Sequence, residues 1–104
     1  TVLICEVVGL MAYVHNLPGH EFTDFFNQIL DLFDEIVREE GATRIIDDSY
    51  MVVLGDHREN GQQMEPAEQA RAMMCIAERM LAQVQQVQVR MEGRMESPRV
   101  QIGI

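Results

Sequence analysis

Basic residues are scarce in this chain: eight Lys and Arg face seventeen Asp and Glu, a formal charge of −9 over 104 residues. Nucleic-acid binding needs clustered cations to displace phosphate counterions, so the composition argues against a DNA or RNA partner. A free nucleotide stays open, because a divalent cation held by carboxylates can bring the charge that basic side chains would otherwise supply. Cysteine is nearly missing too. Cys5 and Cys75 sit in apolar surroundings with no CxxC or His spacing nearby. They read as buried free thiols, not a disulfide or a zinc site, and point to a reducing, cytoplasmic setting. No uncharged run approaches the ~20 residues that a membrane span requires. The opening Thr1-Val2-Leu3-Ile4 lacks the basic start and long apolar body of a signal peptide, so no membrane contact by this segment is expected. Internal repeats and low-complexity tracts are absent as well.

What is present suits one folded domain over residues 1–104. The apolar fraction of 47% is enough for one modest core, and the charged fraction of 24% is ordinary for a globular chain. Val2 to Val8 is an apolar, β-branched run interrupted only by Cys5 and Glu6 and ended by Gly9, which predicts a buried strand. A carboxylate near the end of such a strand is costly without a partner, a metal or an exposed edge. The first residue already falls inside that strand, so the segment reads as cut from something larger.

From Phe22, apolar residues recur at three- and four-residue steps through Phe25, Phe26, Ile29, Leu30, Phe33, Ile36 and Val37, predicting a long amphipathic helix. Pro18 suits its first turn and Gly41 its stop. Thr43 to Ile46 and Tyr50 to Leu54 are short β-rich runs joined by Asp47-Asp48-Ser49, which predicts a hairpin with two carboxylates at its tip. Gly55 to Pro66 has no period and reads as a surface loop. A second helix follows, with Ala67, Ala70, Met73, Met74, Ala77, Met80, Leu81 and Val84 on one face, and its Met-rich stripe reads as core packing. Gln85 to Gly93 stays helix-friendly, and Arg99 to Ile104 predicts a last strand. His15, His20 and His57 have no ligand spacing.

The order β, α, β, β, α, β matches the ferredoxin-like α+β arrangement. It implies a four-stranded antiparallel sheet with the first and third strands at its centre and both helices on one face. In that topology the end of the first strand and the hairpin tip share one sheet edge, so Glu6 and Asp48 are expected to converge as divalent-metal ligands need to.

Four stretches in this order resemble the class III nucleotidyl cyclases, the adenylyl and guanylyl cyclase family. Ile4-Cys5-Glu6-Val7-Val8-Gly9-Leu10-Met11 stands where the family has Phe-x-Asp-Ile-x-Gly-Phe-Thr. Phe26-Asn27 and Leu32-Phe33-Asp34 are similar to its Leu-Asn and Phe-Asp pairs. Ile46-Asp47-Asp48-Ser49-Tyr50-Met51 resembles its Ile-Gly-Asp-Ala-Tyr-Met hairpin, and Arg99-Val100-Gln101-Ile102-Gly103-Ile104 the strand before its His-Ser/Thr-Gly turn. The loop Arg58-Glu59-Asn60-Gly61-Gln62 and the helix after it resemble the guanylyl branch more than the bacterial adenylyl one.

The resemblance implies conversion of ATP or GTP to a cyclic nucleotide and pyrophosphate by two-metal chemistry. Mg²⁺ or Mn²⁺ would be held by Glu6, Asp48 and the carbonyl of Val7. Gly9, Leu10, Met11 and Arg44 would take the nucleotide-binding positions, with a homo- or heterodimer partner of the same kind. Several positions depart from the pattern. Glu6 replaces an aspartate, Asp47 a glycine and Met11 a threonine. Arg44 stands where Lys accompanies adenine and Glu accompanies guanine, and a donor-only guanidinium cannot accept the guanine N1 and N2 protons. The family's Asn-x-x-x-Arg helix is not among these 104 residues, so no catalytic residue is assigned and the segment alone is expected to be inactive. These departures favour a degenerate, dimerising or regulatory half over the metal half-site of an active cyclase. A structural interaction module is a further alternative. A diguanylate-cyclase-like reading would need a Gly-Gly-Asp/Glu-Glu-Phe hairpin, which Asp47-Asp48-Ser49-Tyr50 matches poorly.

Overall fold

The computed structural model of the chain describes residues 2–46, 49–54 and 65–104. Its first strand, β1 (Val2–Val7), alternates strictly: Leu3 and Cys5 are buried, while Val2, Ile4 and Glu6 are exposed. Alternation of this kind marks a sheet covered on one face only. β1 pairs antiparallel with β3 (Tyr50–Val53) on one side and with β6 (Val100–Gly103) on the other. β2 (Thr43–Ile46) adds beyond β3, giving the sheet order β2-β3-β1-β6. The expected four-stranded antiparallel sheet with its first and third strands central is therefore present.

Three helices build the covered face. Gly9 ends β1 in the left-handed conformation, φ 68°, which glycine adopts without steric cost, and α1 (Leu10–Asn16) follows at once. Sequence reading had no element here. The signal is the spacing Leu10, Tyr13, Val14 and Leu17, and Tyr13 is buried with its ring 4.9 Å from that of Phe25. The long helix α2 (Gly19–Glu39) starts earlier than its Phe22 periodicity suggested, with Pro18 just before its first residue. It ends as expected at Gly41, whose φ of 70° lets the Ala42 and Gly41 N–H groups bond back to the Val37 and Arg38 carbonyls.

α3 (Pro66–Gln83) opens on proline, where the missing N–H costs nothing. Its inner face is rotated from the expected stripe. Gln69, Met73, Ile76, Ala77 and Met80 are buried, whereas Met74 and Leu81 are exposed. Cys75 falls on the outer face too, so of the two expected buried thiols only Cys5 is buried. Leu3, Val52, Ile29, Phe33, Ile36, Met73, Ile76 and Met80 form the fully enclosed centre of the core between α2, α3 and the sheet. Arg79 of α3 clasps the end of α2, donating from Nη1 to Glu40 at 3.0 Å and from Nη2 to Glu39.

Gln85 to Gly93 does not continue as helix. A 3₁₀ turn (Val84–Gln86) closes α3, and a small hairpin follows, β4 (Val89–Met91) with β5 (Arg94–Glu96). Val89 and Met91 point inward around exposed Arg90, a two-residue period that outweighs the helix-friendly glutamines. The two-residue turn has positive φ at both Glu92 (52°) and Gly93 (79°), as a tight hairpin with right-handed strand twist requires. Among the described residues no helix is long and apolar enough to cross a membrane. The expected loop from Gly55 lies outside the described residues up to Met64.

Since Phe33 is 2% exposed at the centre of this core, Phe33→Ala should cost about 3–5 kcal/mol of unfolding free energy. Met74→Ala, 52% exposed on the outer face of α3, should change it by no more than ~0.5 kcal/mol. Urea denaturation of both variants checks the assignment, and comparable losses would contradict the observed rotation of α3.

Candidate functional site

The register between β1 and β3 sets the geometry of the expected site. Cys5 lies opposite Tyr50, so the next residue, Glu6, reaches the end of β1 beside the entry to β3. On its other side Glu6 is paired with Gln101 of β6. Its side chain is exposed and makes no salt bridge among the described residues. The burial cost that a strand carboxylate threatens is thus avoided by an exposed sheet end. Val7 completes β1, and Gly9, half-buried Leu10 and largely exposed Met11 form the turn into α1. The sheet therefore brings Glu6, Val7, Gly9, Leu10 and Met11 to one end. Asp47 and Asp48 lie outside the described residues, so the expected approach of Asp48 to Glu6 is not described. Among the described residues no three His, Cys, Asp or Glu side chains cluster as a metal site.

Arg44 is an ion-pair partner of the long helix. It lies opposite Val52, whose side chain is fully buried on the helix-covered face, so Arg44 projects to the same side as α2. There its Nη1 donates to both carboxylate oxygens of Asp34, at 2.7 and 3.0 Å. The hydroxyl of Tyr50 donates to Asp34 Oδ1 at 2.6 Å, and the Tyr50 ring meets Phe33 edge-on at 5.5 Å between centroids. One carboxylate of α2 thereby holds a residue from each strand of the β2–β3 hairpin. Sequence reading noted Asp34 within the Leu32-Phe33-Asp34 stretch that resembles the family's Phe-Asp pair and gave it no contact. The missed signal was positional, since Asp34 follows Phe33 directly and both turn towards the hairpin.

Electrostatics follow from these contacts. Burial raises the Tyr50 hydroxyl pKa above its ordinary value, and the Asp34 hydrogen bond and charge raise it further, with Arg44 opposing. The phenol stays a neutral donor. Burial, assisted by the charge of Glu6, pushes the Cys5 thiol up to about 12, so it behaves as an inert apolar side chain. Neither group is poised as a base or a nucleophile near neutral pH.

The family profile described as "Adenylate and Guanylate cyclase catalytic domain" matches residues 1–104. A search of curated proteins gives no significant match. Among solved structures, the adenylyl cyclase CyaB from P. aeruginosa superposes with a TM-score of 0.77 at 21% identity, covering 98% of this chain and 52% of that one. The guanylate cyclase domain of RhGC from Catenaria anguillulae, solved in complex with GTP, gives 0.72 at 17% identity, covering 98% and 52%. The dimeric guanylyl cyclase domain of the RhoGC fusion protein from the aquatic fungus Blastocladiella emersonii gives 0.72 at 16%, covering 98% and 53%. The chain spans about half the length of the structures it matches.

The two bonds to Asp34 should differ in worth. Its ion pair with Arg44 is about 40% exposed on both sides, so Arg44→Ala should cost less than ~1 kcal/mol. Tyr50 is buried and donates to a charged acceptor, so Tyr50→Phe should cost about 1.5–3 kcal/mol. A double-mutant cycle with Asp34→Ala, read by chemical denaturation, should give the larger coupling to Tyr50. The reverse ranking would show that the surface pair carries the contact.

Proposed function

This chain belongs to the adenylate and guanylate cyclase catalytic-domain family, and we propose that it acts as a degenerate, dimerising half of a cyclase pair that regulates or scaffolds its partner. The observation that carries this is Glu6. It sits exposed, and without a salt bridge among the described residues, at the end of a central strand, beside the entry to β3, in the place where the family motif has aspartate. A single carboxylate and a neighbouring backbone carbonyl at Val7 fall short of the oxygen set that Mg²⁺ demands. The second carboxylate would come from Asp48, which lies outside the described residues. Metal binding in this reading is weakened or lost. Met11 in place of threonine weakens the nucleotide positions further, while Arg44 shares its guanidinium with Asp34 through Nη1.

The sheet face opposite the helices supports the dimerising part. Val2, Ile4 and Ile45 project from it at 41%, 39% and 47% exposure. Contiguous exposed apolar surface of this kind marks an association face. A second copy of this chain or another cyclase-like domain is the proposed partner.

In the natural full-length chain, Mg²⁺- or Mn²⁺-dependent formation of cyclic nucleotide from ATP or GTP should be negligible, and Glu6→Asp alone should not restore it. A rise of tenfold or more in Glu6→Asp would overturn the degenerate reading in favour of a detuned enzyme. Isothermal titration with Mn²⁺ gives a readout independent of turnover, and Glu6→Gln should remove whatever binding remains.

Association is checked separately. The natural chain should sediment as a dimer or larger complex, and Ile4→Arg on the open sheet face should shift it towards monomer. A monomer at all concentrations would contradict the dimerising role.

A further inference from the structure

A cleft of about 390 Å³ lies between α1 and the link from β5 to β6, lined by Val8, Tyr13, Glu96, Ser97 and Arg99. None of Glu6, Val7, Gly9, Leu10, Met11 or Arg44 lines it. The link is held on both sides. Ser97 Oγ donates to the Gln85 carbonyl at 2.9 Å, Pro98 is buried, and the Val8 N–H donates to the Arg99 carbonyl at 2.8 Å. The walls are thereby preformed, as those of small-molecule sites usually are.

Tyr13 is the informative residue. It is only 7% exposed and its ring packs on Phe25, yet its hydroxyl makes no hydrogen bond among the described residues. No described side-chain oxygen is both sealed from solvent and unbonded, so this hydroxyl reaches the cleft that Tyr13 lines. A tyrosine buried to this degree ordinarily has a partner for its polar end. Burial raises its pKa, the Glu96 charge raises it further and Arg99 opposes, so both charges act on the hydroxyl and the phenol stays a neutral donor. Neither Glu96 nor Arg99 makes a salt bridge among the described residues.

These groups define the occupant. The Tyr13 hydroxyl and the Arg99 guanidinium are two donors suited to a carboxylate, and the acceptor-only Glu96 suits an ammonium group. Val8, 47% exposed, offers apolar surface to a short side chain. One acid and one base make the lining neutral, so a ligand bearing a single charge would leave one of them unmatched. The volume falls within the ~300–1,000 Å³ of ordinary ligand pockets. We propose that this cleft binds a small free α-amino acid as its zwitterion, the carboxylate taken by Tyr13 and Arg99, the ammonium by Glu96, and an apolar side chain laid on Val8. The inference does not depend on whether the chain turns over or binds nucleotide.

L-Valine is the probe. Isovalerate, which lacks the ammonium, and L-valinamide, which lacks the carboxylate, are its controls, each titrated into the natural full-length chain by calorimetry and by ligand-observed saturation-transfer NMR. L-Valine should bind at one saturable site with a dissociation constant on the order of 1 mM, as suits a ligand of its size, and each control at least about tenfold more weakly. Tyr13→Phe keeps the ring on Phe25 and should weaken L-valine by about tenfold or more, the worth of a hydrogen bond to a charged group. Arg99→Gln should do the same and serves if the Tyr13 variant does not fold. Glu96→Gln should instead bring L-valine and isovalerate to within about threefold of each other, a loss of selectivity that a merely structural role would not produce. A preference of the natural chain for L-valine that falls short of tenfold over either control would overturn the proposal. Unchanged L-valine binding in a folded Tyr13→Phe or Arg99→Gln chain would do so equally, and so would no saturable L-valine binding at all.

Discussion

The structure depends on the one-sided burial of its central strand. β1 carries Leu3 and Cys5 into the core and leaves Val2, Ile4 and Glu6 outside. A slip of one residue against β3 would invert every side chain, exposing Leu3 and driving the Glu6 carboxylate beneath the helices, at a cost of several kcal/mol for the unpaired charge. That penalty fixes the register on both sides of the strand at once. From it follow the position of Tyr50 opposite Cys5, the pairing of Glu6 with Gln101, and the delivery of Gly9 to the same end as the start of β3.

Asp34 extends this constraint to the hairpin. A helix packed on a sheet by apolar contacts alone has some freedom to slide. A carboxylate bonded to Arg44 of β2 and to Tyr50 of β3 fixes where along α2 the hairpin sits. The Tyr50 bond is short and half-buried, so it carries more of this than the solvent-screened ion pair. Arg44 thus has a structural duty alongside the nucleotide role that the family resemblance suggests. The two duties are compatible, because a guanidinium has five N–H donors and Asp34 engages those of one nitrogen.

The sheet and both long helices were legible because their apolar periods are strong and the first helix is punctuated by Pro18 and Gly41, whereas Pro66, read as the end of a loop, opens α3. The segments that were misread are those in which local composition and tertiary packing disagree. Leu10 to Asn16 is a helix of about two turns whose period is barely long enough to register, and it is stabilised by the Tyr13 ring packing at a tilt against Phe25. In Val89–Met91, two inward side chains decide the conformation against helix-forming neighbours. On α3, the small and sulfur-containing residues are so evenly spread that the sequence admits more than one apolar stripe, and only packing on the sheet selects Ile76 over Met74. Glu6 could be singled out from sequence as a charge in an apolar run. The hairpin contacts of Asp34 could not, since a carboxylate on an amphipathic helix looks the same whether it meets water or a hairpin.

Rigidity is also what gives the Glu6 substitution its meaning. One added methylene displaces a carboxylate by about 1.5 Å. In a loop the backbone would take up that length. Here β1 is pinned by β3 and β6 together, so its backbone at Glu6 has no such freedom. A Mg²⁺ ion that requires its ligands at 2.0–2.1 Å in near-octahedral geometry does not forgive a shift of that size. Under the proposed reading, in which Glu6 takes the motif's metal position, the register that delivers its carboxylate to this end of the sheet also keeps the backbone from adjusting to the longer side chain. For this reason the departure from aspartate weighs more heavily against turnover than a change of one methylene would on a mobile segment.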